Sequence, residues 1–129
     1  MHFGAEGFFW TVVLCGLGSG LGGVFRHLVA DWVATWHNHH FPLGIFLVNV
    51  SGAFVIGMVW GLLPGASIGR DFLMLGVLGG YTTVSTYALN TFALWRAGHL
   101  GWAALNVVLS LLLCLLAVWG GELLAGLLV

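Results

Sequence analysis

From about Leu100 to Leu127 the chain carries one charged side chain, Glu122, in a run built mostly of Leu, Val, Ala and Gly. Such a run can cross the hydrocarbon of a bilayer, which takes about 20 residues of helix. It also constrains the backbone. In lipid every N–H and C=O must be satisfied inside the protein, so a spanning segment is a helix or part of a closed barrel. Barrel strands alternate apolar and polar residues in segments of ~10, and the long continuous apolar runs argue against that. Three further runs precede this one. The expected spans are about 7–33, 43–63, 71–95 and 100–127, parted by the polar stretches TWHNHHFP, PGASIGRD and RAGH. Charged residues make up only 5% of the 129, against roughly 25% in soluble domains, so nothing remains for a water-facing domain. The fold class expected is an all-α integral membrane protein, with residues 1–129 forming a single four-helix transmembrane domain. The opening stretch MHFGAEGFFW has no basic segment and no clear cleavage site, and reads as the start of the first span.

Charge restricts the partners. A formal net charge of -1 offers no basic face for nucleic acid. Orientation in a membrane normally follows an excess of Lys and Arg in cytoplasmic loops. Here Lys is absent and the three Arg are divided: Arg70 on the side of the termini, Arg96 on the opposite side, and Arg26 towards the far end of the first span. So weak a bias allows insertion both ways round, which permits an antiparallel dimer. Glycine favours close association: Gly16, Gly18, Gly20, Gly22 and Gly23 crowd the first span, Gly57 and Gly61 form a GxxxG in the second, and Gly76 and Gly80 another in the third. Small residues at this spacing let helix backbones approach, within a chain or between chains.

Reactive groupings are scarce. Cys15 and Cys114 lie within apolar runs and read as small buried residues rather than a disulfide. His37, His39 and His40 cluster in WHNHH with no Cys or carboxylate beside them to complete a metal-ligand set, and read as a solvated interfacial loop. Glu6, Asp31, Asp71 and Glu122 fall near span ends, and no Ser/His/Asp or Cys/His grouping suggests nucleophilic catalysis. The chain does not read as an enzyme.

The polar residues inside the spans carry the functional reading, because a polar group held in lipid is costly. They are Arg26, Asn49 and Ser51, the hydroxyl run of the third span with Asn90, and Asn106 with Ser110 in the fourth. Asn106, Ser110 and Cys114 follow an i, i+4, i+8 spacing and share one helical face. In the third span, GVLGGYTTVSTYALNT places Thr82, Thr83, Ser85 and Thr86 directly behind the Gly79–Gly80 pair. Irregular backbone at this depth survives only where protein buries it or where it lines a watery cavity. An interrupted helix frees carbonyls that can coordinate a cation, and its second half begins with exposed N–H groups and a positive dipole end. Transporters form ion sites from broken helices of this kind. A break near Gly79–Thr83 is therefore expected.

Three motifs in order, GLGGVFRHL around Arg26, GIFLVNVSGAFVIG around Asn49 and GVLGGYTTVSTY at the break, resemble the CrcB/Fluc family of fluoride channels. That family's pattern is approximately GGxxGAxxRY, GTLxVNxxGSFxxG and GFxGGxTTFSTFSxE, and the likeness covers essentially the whole chain. It implies an antiparallel dual-topology homodimer, multi-pass in the cell (inner) membrane of a prokaryote. Such a dimer carries fluoride along two pathways, exports it passively from the cytoplasm and so confers resistance. The resemblance also implies a structural Na⁺ at the dimer centre, held by the backbone carbonyls of Gly79 and Thr82. By matching positions, the fluoride pathway comprises Asn49, Val84, Ser85, Thr86, Tyr87, Ser110 and Cys114, while Arg26, Gly80 and Asn90 are structural. The chain departs from the pattern where the family has two Phe rings. Val84 has no ring, Tyr87 keeps one and adds a phenol, and Asn90 stands in place of a Glu. Cys114 occupies a position where a hydroxyl or a small residue is more usual.

Other readings stay open. Some members of that family pair different chains, one with a degenerate pore, and this chain could be such a subunit. A small dimeric multidrug-type exporter needs a membrane-embedded carboxylate, for which Glu6 lies too near the terminus and Asp31 too near a loop. An accessory protein would use the glycine-rich faces to bind a larger partner.

Overall fold

The computed structural model describes residues 4–129; Met1, His2 and Phe3, part of the opening stretch read as the start of the first span, lie outside the described residues. All regular structure among the described residues is helical. Helix α1 spans Ala5–Ala34 and α2 spans Leu43–Leu62. The third crossing, Ile68–Arg96, is composite. It consists of α3 (Ile68–Asp71), a π-helical run (Phe72–Leu78) and α4 (Gly79–Tyr81), then an irregular segment at 82–84, then α5 (Ser85–Arg96). Helix α6 (Leu100–Leu128) completes the chain. Four helical segments are long and apolar enough to cross a membrane, and the chain is a multi-pass membrane protein.

Local chemistry sets the ends. Leu63 leaves the helical region at ψ 74 because the ring of Pro64 crowds the residue before it. The Ser67 side chain accepts the Arg70 amide at 3.1 Å, a cap that starts the third crossing ahead of its apolar run. Helix α5 closes through Gly98, at φ 86. There the His99 amide donates to Leu94 C=O at 2.9 Å and the Gly98 amide to Trp95 C=O at 3.1 Å, the paired bonds of a Schellman turn.

The break lets the third crossing change partners. Its first half lies along α1, its second half rests on α6, and α2 touches both while forming the most extensive pairing, with α6. The α1 crossing sets glycine against glycine. A methyl added to Gly80 would lie 2.6 Å from Ser19 Cα, and one added to Gly22 would lie 2.7 Å from the Tyr81 amide nitrogen. Gly18 and Gly76 meet beside them. The Gly76/Gly80 spacing therefore works inside the chain, as does the Gly57/Gly61 spacing, which faces Val118 and Ala125 of α6; Gly16 and Gly20 have nothing within 4 Å. The Gly79–Gly80 pair remains helical, and the irregular backbone falls on Thr82, at φ -80 and ψ 157, and its neighbours. Close approach is what the glycines supply.

The π-helical run has no forerunner in the sequence pattern. Its wider turns weaken the regular i to i−4 ladder, and α1 answers with donors. Ser19 Oγ donates to Gly76 C=O at 3.3 Å, and Cys15 Sγ to Asp71 C=O at 3.6 Å.

The buried apolar side chains are few, among them Val33, Val48, Leu78, Leu94 and Ala125. The chain exposes 8078 Å², more than the about 6,600 Å² of a compact soluble monomer of its mass. Lipid can cover the apolar part of this area.

Gly80→Val is expected to unfold the α1 crossing, because the added atoms meet backbone that cannot yield. A loss of about 1–3 kcal/mol should appear as a lower melting temperature in detergent. Gly101→Ala, where nothing lies within 4 Å, should leave it unchanged.

Candidate functional site

The irregular segment is held by one side chain from another helix. Asn49, in the middle of α2, accepts the Thr83 amide on Oδ1 at 2.8 Å and donates from Nδ2 to the Thr83 carbonyl at 2.9 Å. A primary amide can do this because it carries a donor and an acceptor side by side, matching the N–H and C=O of one residue. Nδ2 keeps a second N–H, and Asn49 borders the groove described below.

Capture of the Thr83 amide has a consequence for Gly79. In a continuous helix that amide would return to the Gly79 carbonyl. The next capture repeats the logic, since the Thr86 amide donates to Thr83 Oγ1 at 3.2 Å and so does not return to Thr82. Gly79 and Thr82, the two carbonyls expected to hold a cation, are thus the two whose ladder donors side chains have diverted. Hard oxygen donors of this kind suit a small alkali cation. Gly79 is exposed and Thr82 half-exposed.

Beside the break lies a groove of about 490 Å³. Its polar border is Asn49, Gly79, Thr82, Thr83, Tyr87, Ser110 and Cys114; Ala53, Ile56, Val84, Leu111 and Val118 make up the apolar remainder. No lining residue is charged. Of the expected pathway residues, Asn49, Val84, Tyr87, Ser110 and Cys114 therefore meet at one place. Ser85 and Thr86 do not line it: Ser85 Oγ lies 3.2 Å from Thr83 Oγ1, and Thr86 Oγ1 accepts from the same atom at 3.4 Å. Thr82 turns its hydroxyl to Leu78 C=O at 3.0 Å. The Thr82 and Thr83 hydroxyls serve the backbone at the break, and those of Ser85 and Thr86 gather on the Thr83 hydroxyl. Val84 is 78% exposed, an apolar side chain displayed at the centre of the break.

Arg26 and Gly80 come together at the α1 crossing, where a methyl on Gly23 would meet Arg26 Nη2 at 3.9 Å and the Gly80 carbonyl at 4.0 Å. Asn90 is half-exposed on α5 and stands off the groove. The histidines go elsewhere: His39 packs edge-on against Trp102 at 4.5 Å, and His40 lies 4.1 Å from His99 between ring centres. They belong to an aromatic cluster at one end of the bundle.

Two residues escaped assignment from the sequence. Thr83 is only 8% exposed and organises the break, although its neighbours drew equal attention in the motif. Asn106 is 1% exposed and bonds Thr91 and Ser110. Its place on one face with Ser110 and Cys114 was the available signal.

The family model for CrcB-like protein, Camphor Resistance (CrcB), matches residues 13–122. A protein of Opitutus terrae named fluoride-specific ion channel FluC is 47% identical over 116 residues, covering 84% of this chain and 87% of its own. A Coxiella burnetii protein of the same name is 39% identical over 118 residues, covering 88% and 95%. Fluoride-specific ion channel FluC 4 of Brucella abortus is 44% identical over 117 residues, covering 84% and 86%.

The Asn49 clamp is testable by stability alone. Asn49→Asp keeps the shape but sets an oxygen against the Thr83 carbonyl, and Asn49→Ala leaves both Thr83 groups unpaired. Each is expected to cost about 2 kcal/mol or more, read as earlier thermal unfolding of the detergent-solubilised protein.

Proposed function

The chain belongs to the CrcB family, and on that premise we propose that it is a fluoride-selective channel releasing cytoplasmic fluoride passively, assembled as an antiparallel homodimer. The observation that carries this reading is the uncharged groove at the break, where Asn49, Tyr87, Ser110 and Cys114 converge on one side of otherwise apolar helices.

Fluoride is small and holds its water tightly, so a pathway must replace that water with donors. The second Nδ2 proton of Asn49 and the phenol of Tyr87 can do so, and the Cys114 thiol adds a weak donor. Neutral donors stabilise the anion without trapping it, as a fixed buried cation would. The rim of the Tyr87 ring is the positive part of the aromatic quadrupole and offers a second way to face an anion. Val84 offers none, so on this side of the pathway the work falls to Tyr87. A larger anion such as chloride fits a narrow track of this kind less well. Passive exit suffices if fluoride enters as neutral HF and dissociates inside, because the trapped anion then leaves down its own gradient. This is transport and needs no active-site chemistry.

The open groove and the divided arginines support the homodimer. A second copy inserted the other way round would cover the excess surface and close the pathway. The Gly79 and Thr82 carbonyls are suited to hold Na⁺ together with the equivalent pair from that copy. The ion would supply positive charge to oxygens that have no ladder partner, tying the two breaks together. The cell membrane is the place where such a channel acts.

Purified protein reconstituted in fluoride-loaded liposomes should release fluoride rapidly when a K⁺ ionophore is added, while chloride-loaded vesicles stay closed. Absence of efflux from a well-formed dimer would overturn the homodimeric channel and point to a subunit that needs a different partner chain. Tyr87→Phe should retain most of the flux and Tyr87→Ile should lose roughly tenfold or more, a loss equivalent to about 1.4 kcal/mol. Exchange of Na⁺ for N-methylglucamine during purification should lower the melting temperature of the dimer, since a ligand bound only by the folded state stabilises it by mass action.

A further inference from the structure

Behind the groove, α5 and α6 are joined by a chain of hydrogen bonds that the pathway described so far does not use. Ser110 Oγ donates to Asn106 Oδ1 at 3.2 Å, Asn106 Nδ2 donates to Thr91 Oγ1 at 2.9 Å, and Thr91 Oγ1 donates to the Tyr87 carbonyl at 2.9 Å. Ser110 lines the groove, while Asn106 does not and is 1% exposed. Both ends of the chain reach pathway residues, Ser110 at one and Tyr87 at the other.

The direction of these bonds follows from the donor inventory. A carbonyl only accepts, so Thr91 gives its proton to Tyr87 and can only accept from Asn106. The amide nitrogen of Asn106 must then face Thr91, and its oxygen must face Ser110. Ser110 consequently spends its one proton on Asn106, away from the groove, and presents lone pairs where an anion would pass. A helical serine more often returns its proton to a carbonyl of its own preceding turn; here the amide of Asn106 takes it instead.

This arrangement has a second, equally connected form. With the Asn106 amide turned over, Thr91 donates to Oδ1 and Nδ2 donates to Ser110 Oγ. The Tyr87 carbonyl keeps the helical amide of Thr91, four residues on. Ser110 is then free to donate into the groove. The chain is complete without an anion in the first form and complete with one in the second. We propose that Asn106 is a positioning residue that sets the direction of the Ser110 hydroxyl, reversing with Thr91 so that Ser110 donates only when an anion is beside it. No bond other than hydrogen bonds changes, and no proton leaves its own heavy atom.

The inference rests on the channel reading above, and its test separates the two. Fluoride flux from liposomes is measured for the wild type, Asn106→Leu, Ser110→Ala and the double variant, with dimer formation checked by size exclusion. In Asn106→Leu the Ser110 proton falls back to its own helix, so each single variant is expected to lose roughly tenfold, the worth of about one hydrogen bond to an ion. Because Asn106 acts only through Ser110, the double variant should match Ser110→Ala. A hundredfold loss in the double variant, or wild-type flux in Asn106→Leu, overturns the positioning role while leaving the channel intact. Absence of flux in the wild type overturns both. If Asn106→Leu does not assemble, Thr91→Val asks the same question with almost no change in volume. Its effect must also vanish in the Ser110→Ala background, and a persistent effect overturns the proposal.

Discussion

The structure depends on one constraint, that a backbone interrupted within the membrane must still have its polar groups satisfied. Water is not at hand, and an unpaired peptide group in hydrocarbon costs several kcal/mol. The chain meets this locally and economically. Asn49 takes both polar groups of Thr83, the Thr83 hydroxyl takes the Thr86 amide, and the Thr82 hydroxyl returns to Leu78. Among the described residues no buried side-chain nitrogen or oxygen is left without a partner. Gly79 and Thr82 are left with carbonyls whose helical donors side chains have captured.

The break is also what shapes the bundle. A straight third helix could follow one neighbour, whereas the interrupted one leaves α1 and crosses to α6. Its first half is pinned by close approach, with Gly18, Gly22, Gly76 and Gly80 bringing two backbones together and the Ser19 and Cys15 side chains reaching into the π-helical run. Its second half is pinned by polar bonds, through Thr91 and the buried Asn106. The groove lies at the break itself, lined by α2, the irregular segment with the start of α5, and α6. Packing, not charge, places the groove.

That absence of charge is consistent with the chemistry of a mobile anion. A buried guanidinium or ammonium would hold fluoride in a deep well, and a carboxylate would repel it. Arg26 is kept at the α1 crossing, Arg70 lies over the Trp60 ring at 4.2 Å, and Asp31 pairs with His27 at 3.0 Å on an exposed turn. Donors of the hydroxyl and amide type remain, whose protons can be redirected within hydrogen-bond networks at little cost. A channel whose donors can turn away when the ion departs needs no charge compensation in its empty state.

The sequence by itself determined the membrane class, the four crossings and the region of the break, because apolar length and the demand for backbone satisfaction act on each segment separately. It also picked out much of the groove: Asn49, Ser110 and Cys114 stand out as polar groups in lipid-length runs whatever their partners, and the family resemblance adds Tyr87. Only the tertiary structure decided what those groups do. It turned Asn49 onto the backbone of Thr83, took Ser85 and Thr86 out of the groove lining, kept the Gly79–Gly80 pair helical and moved the irregular backbone to Thr82–Val84, and connected Asn106 with Thr91 across two helices. The π-helical run was equally hidden. The reason is physical: burial in lipid is a property of a segment, whereas the direction of a hydrogen bond or the approach of two glycines is a property of a pair, and pairs are fixed only when the helices meet.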